Sequence, residues 1–192
     1  MTATSPAPSA RKVELTETAY RYVLDHGMGE VSLRPLAAAI GSSPRVLLFL
    51  FGSKDELIRA LLARAREDEL AMLQRLPRPA EAGLEHVGRL TWAWLSAREH
   101  RPLLTLWVEA YARSLIDPDG PWAGFARQTV QDWLDVLSEA QPRATRNRRQ
   151  AVELRTGVLA LLRGALLDLL ATGDVARTTA SVHAALGQLG HD

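Results

Sequence analysis

From Arg11 onward the apolar positions recur at three- and four-residue steps, the period of helices that bury one face. Leu15, Ala19, Tyr22, Val23 and His26 define the first such face, which Gly27 and Gly29 bring to a stop. A second short run, Leu36 to Ile40, follows Ser32, a good N-cap, with Pro35 in the first turn where amides lack an intrahelical partner. Gly41 then supplies a position for positive φ, and Ser43 with Pro44 reads as the N-cap and first residue of a third helix ending near Phe51 and Gly52. Two short helices around a tight glycine turn form a helix-turn-helix, whose second helix can enter a major groove.

Ser53-Lys54-Asp55-Glu56 reads as a capping box opening a long fourth helix, whose Leu57, Ile58, Leu61, Leu62, Ala65, Met72 and Leu73 lead to a break at Pro77 and Pro79. Further helical patterns cover roughly 81–99, 103–116, 121–139, 147–171 and 174–189, without any strand pattern. The expectation is therefore an all-α chain of about nine helices. It has a flexible arm over 1–10, a three-helix domain over 11–57 with its motif at about 33–52, and a helical domain over 58–192.

Within this frame Leu47 and Phe51, four apart, belong to the small core. The run Val46 to Phe51 has no polar residue and cannot all face that core, so Leu48 and Phe49 either meet a groove or pack on helix one or a partner. In the second domain Leu104, Trp107, Val108, Tyr111 and Leu115 give a buried face. Two further stripes follow, Leu159, Leu162, Leu166 and Leu170, then Val175, Val182, Leu186 and Leu189, among small residues that allow close approach. All five tryptophans, at 92, 94, 107, 122 and 133, lie after residue 58 together with Tyr111 and Phe125. Most fit a core, yet Trp107, Tyr111, Trp122 and Phe125 could also wall an apolar cavity for a flat small molecule, with His86, Glu109 and Arg113 as polar contacts.

Composition narrows the chemistry. With 47% hydrophobic and 23% charged residues in 192, the chain is long enough for a sizeable core. It contains no cysteine, which excludes disulfides, a thiolate nucleophile and a cysteine zinc site, and fits a reducing cytoplasm. The opening MTATSPAPSA lacks the apolar core of a secretory signal. The most apolar stretch, Val158 to Leu170, is broken by Arg163 and Asp168 and falls short of the roughly 20 residues that span a bilayer, so no membrane association is expected. Five scattered histidines, none paired at an i, i+4 step, make a metal site unexpected. No phosphate loop, nucleophile elbow or carboxylate pair marks an enzyme or a cofactor site. The net charge of +1 means that affinity for nucleic acid must come from where the cations stand.

Residues 27 to 57, GMGEVSLRPLAAAIGSSPRVLLFLFGSKDEL, resemble the signature of the TetR family: a glycine ends helix one, Ser-Leu-Arg opens helix two and Phe-Gly-Ser-Lys follows helix three. Gly27, Ser32, Leu33, Arg34, Ala37, Gly41, Ser43, Leu47, Phe51, Ser53, Lys54 and Leu57 carry the match, and helix capping alone does not require them all. The resemblance implies a ligand-responsive repressor that binds a palindromic operator in double-stranded DNA as a homodimer, with an apolar small-molecule effector. An activator could be built from the same parts. It implies that Ser32, Arg34 and Lys54 face phosphates and that Ser43, Pro44, Arg45, Leu48 and Phe49 lie at the groove. At 48 and 49 the family often has Tyr and His where this chain has Leu and Phe. It further implies a dimer interface in the last two helices, placed here on Leu159, Leu162, Leu166, Leu170, Val182, Leu186 and Leu189. A helical ligand-binding or protein-interaction module without operator binding is the alternative.

Overall fold

The computed structural model describes residues 9–28, 32–75 and 83–188; Pro77, Pro79, Leu189 and most of the expected arm lie outside them. Among the described residues are nine α-helices and one 3-10 turn. They are α1 (Ala10–His26), α2 (Leu33–Ala39), α3 (Pro44–Phe51), α4 (Lys54–Arg75), α5 (Gly83–Ser96), α6 (Arg101–Ile116), α7 (Phe125–Glu139), α8 (Arg149–Thr172) and α9 (Val175–Gln188), with Arg98–His100 as the turn. The order follows the all-α expectation. Ser9, expected in the arm, caps α1 by accepting from the Lys12 amide at 3.2 Å.

The turn between α2 and α3 is built by local hydrogen bonds. Gly41, at φ +64°, lets its own amide reach the Ala38 carbonyl at 3.3 Å and the Ser42 amide reach that of Ala37 at 2.8 Å, a Schellman closure. The helix axes then cross at 102°. Ser43 caps α3 through the Val46 amide, with Pro44 in its first turn. Only half of the expected capping box forms at α4. Ser53 Oγ accepts from the Glu56 amide at 3.1 Å, but the Glu56 carboxylate pairs forward with Arg59.

Two apolar cores share α4. The first gathers Leu15, Ala19, Tyr20 and Val23 of α1, Leu36 and Ala37, Leu47 and Phe51, and Leu57, Ile58, Leu61, Leu62 and Ala65 of α4. It also takes Leu106 and Ala110 of α6, Trp122 and Phe125, so packing runs on past residue 57 into the following helices. The second holds Met72 and Leu73 with Trp92, Trp133 and Leu137 and the buried leucines of α8. Tyr20, not His26, completes the α1 face: its hydroxyl donates to Asp68 at 2.9 Å, while His26 lies exposed, stacked on Tyr22. On α6 the expected stripe is displaced. Leu115 is 65% exposed, whereas Leu106 and Ala110 are buried, because α6 is covered on two sides by the two cores.

The leucines assigned to a dimer interface require correction. Leu159, Leu162, Leu166, Val182 and Leu186 are buried inside the chain's own second core and offer no surface to a partner, while Leu170 packs half-buried against it. Their helices turn a different face outward. No single helix among the described residues is long and apolar enough to cross a membrane.

Candidate nucleic-acid interface and buried cavity

α3 has two apolar faces, and only one is covered. Leu47 and Phe51 point into the first core while Arg45, Val46, Leu48 and Phe49 are exposed, Phe49 to 86%. A benzyl group in water is unfavourable by roughly 2 kcal/mol relative to burial, so its position on the outer face of a helix-turn-helix needs a reason beyond folding. Arg34, Arg45 and Lys54, all exposed, stand in the first turns of α2, α3 and α4. Each opposes the positive end of its helix dipole. Neighbouring cations are engaged, Arg11 with Glu14, Arg21 with Glu17, Arg59 with Glu56 and Arg64 with Glu17 and Asp68. Among the described residues no ion pair takes up Arg34, Arg45 or Lys54. Ser32 is exposed and makes no capping bond with its side chain, Ser43 is exposed with its Oγ on the Val46 amide, and Pro44 is half-buried.

The expected cavity residues do not stay together. Trp122 and Phe125 lie in the first core, with Arg113 over the Trp122 ring at 5.3 Å. Burial there places both in the first core, away from the wall that Trp107 lines, and Phe125 borders a separate outer pocket between α4 and the start of α7. Glu109 is also at this junction, its Oε2 accepting from the Met28 amide at 2.9 Å, and His86 is exposed on α5. Trp107 does line a cavity, together with Glu69, Met72, Trp94, Trp133 and Arg163, among leucines of α5, α6 and α8. Tyr111 stands behind Arg163, its hydroxyl accepting from Nη1 at 3.3 Å.

At the centre is Glu69, only 4% exposed. Its Oε1 accepts from the indole nitrogens of Trp133 at 2.6 Å and Trp107 at 3.0 Å, while Oε2 has no partner. Burial pushes its carboxyl up to about 7, against the opposing pull of the two indole hydrogen bonds. Arg163 is held with its guanidinium over the Tyr111 and Trp107 rings at 5.1 and 5.6 Å, and its Nε and Nη2 are buried without acceptors. Burial lowers its proton affinity.

Both charged groups carried a sequence signal. Glu69 continues the α4 register of Ile58, Leu62, Ala65 and Met72, so it is a carboxylate on a buried face. Arg163 interrupts the most apolar stretch of the chain, between buried Leu162 and Leu166. The cavity measures about 30 Å³, against the roughly 150 Å³ that admits a benzene ring. Met72, Trp94 and Leu103 separate it from an outer groove of about 600 Å³ that Asp68, Arg75 and His100 also line. Trp94 stacks on His100 at 4.0 Å, so this wall is made of side chains that can rotate rather than of backbone.

An all-α chain with an exposed helix-turn-helix ahead of a helical domain that encloses its own core and cavity defines a two-domain helix-turn-helix protein. Its residues 15–61 match the family model of bacterial regulatory proteins of the tetR family. The HTH-type transcriptional regulator BetI of Rhizobium meliloti (strain 1021) is 30% identical over 161 residues, covering 80% of this chain and 64% of BetI. The chain thus spans a little under two thirds of that relative. The fold is shared with the multidrug binding protein EbrR complexed with proflavin, at a TM-score of 0.69 and 21% identity over 92% of this chain and 99% of EbrR. A TetR transcription regulator from Haloarcula marismortui ATCC 43049 superposes at 0.68 with 15% identity, over 93% and 95% of the two chains.

Proposed function

We infer that this protein is a DNA-binding transcriptional regulator that acts as a homodimer on a palindromic operator and releases it when an apolar small molecule enters the second domain. The observation that carries the DNA-binding reading is the exposed row Arg45, Val46, Leu48 and Phe49 on α3, framed by the unengaged Arg34 and Lys54. In a major groove Arg45 reaches guanine or phosphate, and Leu48 and Phe49 meet thymine methyl groups. Ser32, Arg34 and Lys54 hold the backbone and fix the register.

The dimer reading moves to the outward face of α8 and α9. Leu154, Gly157, Leu161 and Gly164 follow one line along α8, beside Ala185 of α9. A Cβ added at Gly157 or Gly164 would meet nothing within 4 Å, which leaves room for a partner helix to approach closely. Two-fold pairing there sets two α3 helices a whole number of DNA turns apart.

Two elements connect cavity and DNA face. α4 is a rod of 22 residues, about 33 Å long, with Lys54 at one end and Glu69 and Met72 in the cavity wall. α6 places Trp107 in the same wall and, two residues on, ties Glu109 to the backbone at the end of α1. A ring-sized ligand has to expand the cavity severalfold, which selects a conformer with α4 and α6 displaced and the spacing of the reading helices changed. EbrR, with its bound proflavin, supports a small-molecule role for this fold.

Fluorescence anisotropy on DNA fragments selected by the wild-type protein tests the reading. Lys54→Ala weakens binding to all sequences alike and lowers the salt slope by about one. Arg45→Ala costs about 1–3 kcal/mol and relaxes preference at one position of each half-site. Unchanged affinity in both variants, with their fold intact by circular dichroism, refutes it.

A further inference from the structure

The cavity wall is apolar except for two residues, Glu69 and Arg163. Three of their buried polar atoms lack any partner: Oε2 of Glu69, and Nε and Nη2 of Arg163. Two unsatisfied guanidinium donors on one side chain are uncommon inside a protein, since each forfeits its hydration without a replacement. They are also the pair with a defined use. On Arg66 the same two nitrogens hold both oxygens of Asp132, at 2.9 and 3.0 Å, the side-on fork that fits a carboxylate. On Arg163 the fork is set in place without being used, with Nη1 on the Tyr111 hydroxyl and the ring faces of Tyr111 and Trp107 against the cation.

We propose that the effector is an organic carboxylate with a flat apolar body, its two oxygens taking the Nε and Nη2 hydrogens of Arg163 and its body lying among Trp94, Trp107 and Trp133. This assignment rests on the ligand-responsive reading above and names the chemistry that the same site selects. Glu69 supplies the second polar contact: in its protonated form Oε2 donates to the ligand while Oε1 keeps both indoles. An ammonium ligand would satisfy Glu69 but set a second positive charge beside Arg163. A neutral ring would leave the fork unsatisfied. Only the anion satisfies all three orphaned atoms.

The charged and titratable groups around Glu69 are consistent with this. Asp132 on α7 is engaged by Arg66 of α4, Arg163 comes from α8 and the Tyr111 hydroxyl of α6 stands behind it; α5 contributes Trp94 and Leu95 to the wall, neither titratable. Glu69 titrates near 7, and an anion bound beside it favours its protonated form further. Carboxylate affinity therefore falls as pH rises through neutrality, by up to about tenfold per unit.

Calorimetric titration of the full chain tests this with phenylacetate, indole-3-acetate and 2-naphthoate, each beside its primary amide and its ammonium counterpart. The expected result is at least one carboxylate bound about tenfold or more tightly than both counterparts, because a site with buried donors rejects analogues that leave them unpaired. Arg163→Met, apolar and of similar length, removes that preference. Glu69→Gln retains the preference and flattens its dependence between pH 6 and 8. The proposal is overturned if an ammonium counterpart binds best, if the preference survives Arg163→Met in a folded protein, or if none of the carboxylates binds at about 1 mM. Operator binding in the same samples separates the two claims. An Arg163-dependent preference that leaves operator affinity unmoved supports the carboxylate site and overturns the sensing role, whereas an amide that releases DNA as well as its carboxylate overturns the carboxylate assignment and leaves sensing in place.

Discussion

Replacing Glu69 with glutamine should make the protein more stable above neutral pH, and the size of the gain follows from the site. The Glu69 carboxyl titrates near 7 when folded, against 4.5 for an ordinary glutamate, because burial penalises its charge. Between these values the folded chain holds a proton that the unfolded chain has released, so stability falls as pH rises. It is fully present below about 4.5 and lost by about 7, at about 1.4 kcal/mol per pH unit, or about 3 kcal/mol in all. The amide introduced by Glu69→Gln cannot ionise, yet its carbonyl can accept from both indoles. Urea denaturation at intervals from pH 5 to 8 should therefore show wild type losing about 3 kcal/mol relative to Glu69→Gln. In a chain of this size that is a difference of roughly 6–12 °C in Tm. Curves that run parallel across this window would show that Glu69 is not a buried acid, and would remove its role in the cavity.

Other expectations follow from burial. Leu47 has no exposed surface, so Leu47→Ala should lower unfolding free energy by about 2–5 kcal/mol in urea titration. Phe49→Ala, at a site 86% exposed, should change stability by less than about 0.5 kcal/mol and still weaken operator binding measurably by anisotropy. Leu161→Asp on the outward face of α8 should give a folded monomer in sedimentation velocity, whereas Leu166→Asp, inside the core, should unfold the chain.

The helix-turn-helix was legible because its instructions are local. Gly41, Ser43 and Pro44 fix the turn and the start of α3 through bonds to residues within five positions. Apolar spacing also identified the helices, but it states only that a face is buried, not what buries it. Leu159, Leu162 and Leu166 fit a dimer seam as well as they fit the core that α5 and α7 supply, and only the packing decides. That Trp122 and Phe125 join the first core has the same cause: the chain after α6 folds back onto α1 and α4, a long-range contact with no local signature. On α6, coverage from two sides defeated a reading based on one stripe, exposing Leu115 and burying Leu106. Glu69 and Arg163 were visible as charges in apolar registers, yet the meeting of α4 with α8 around one cavity belongs to the tertiary structure.

The measurement that bears most directly on the central claim is selection of bound fragments from random double-stranded DNA by the purified full chain, followed by titration of the selected fragment in salt. The expected result is enrichment of a palindrome whose half-site centres lie about one helical turn or a multiple apart, bound by two chains. Affinity should fall steeply between about 50 and 200 mM salt, with a shallower slope in Lys54→Ala. Fragments without enrichment, or binding indifferent to salt and to Arg45 and Lys54, would contradict the claim.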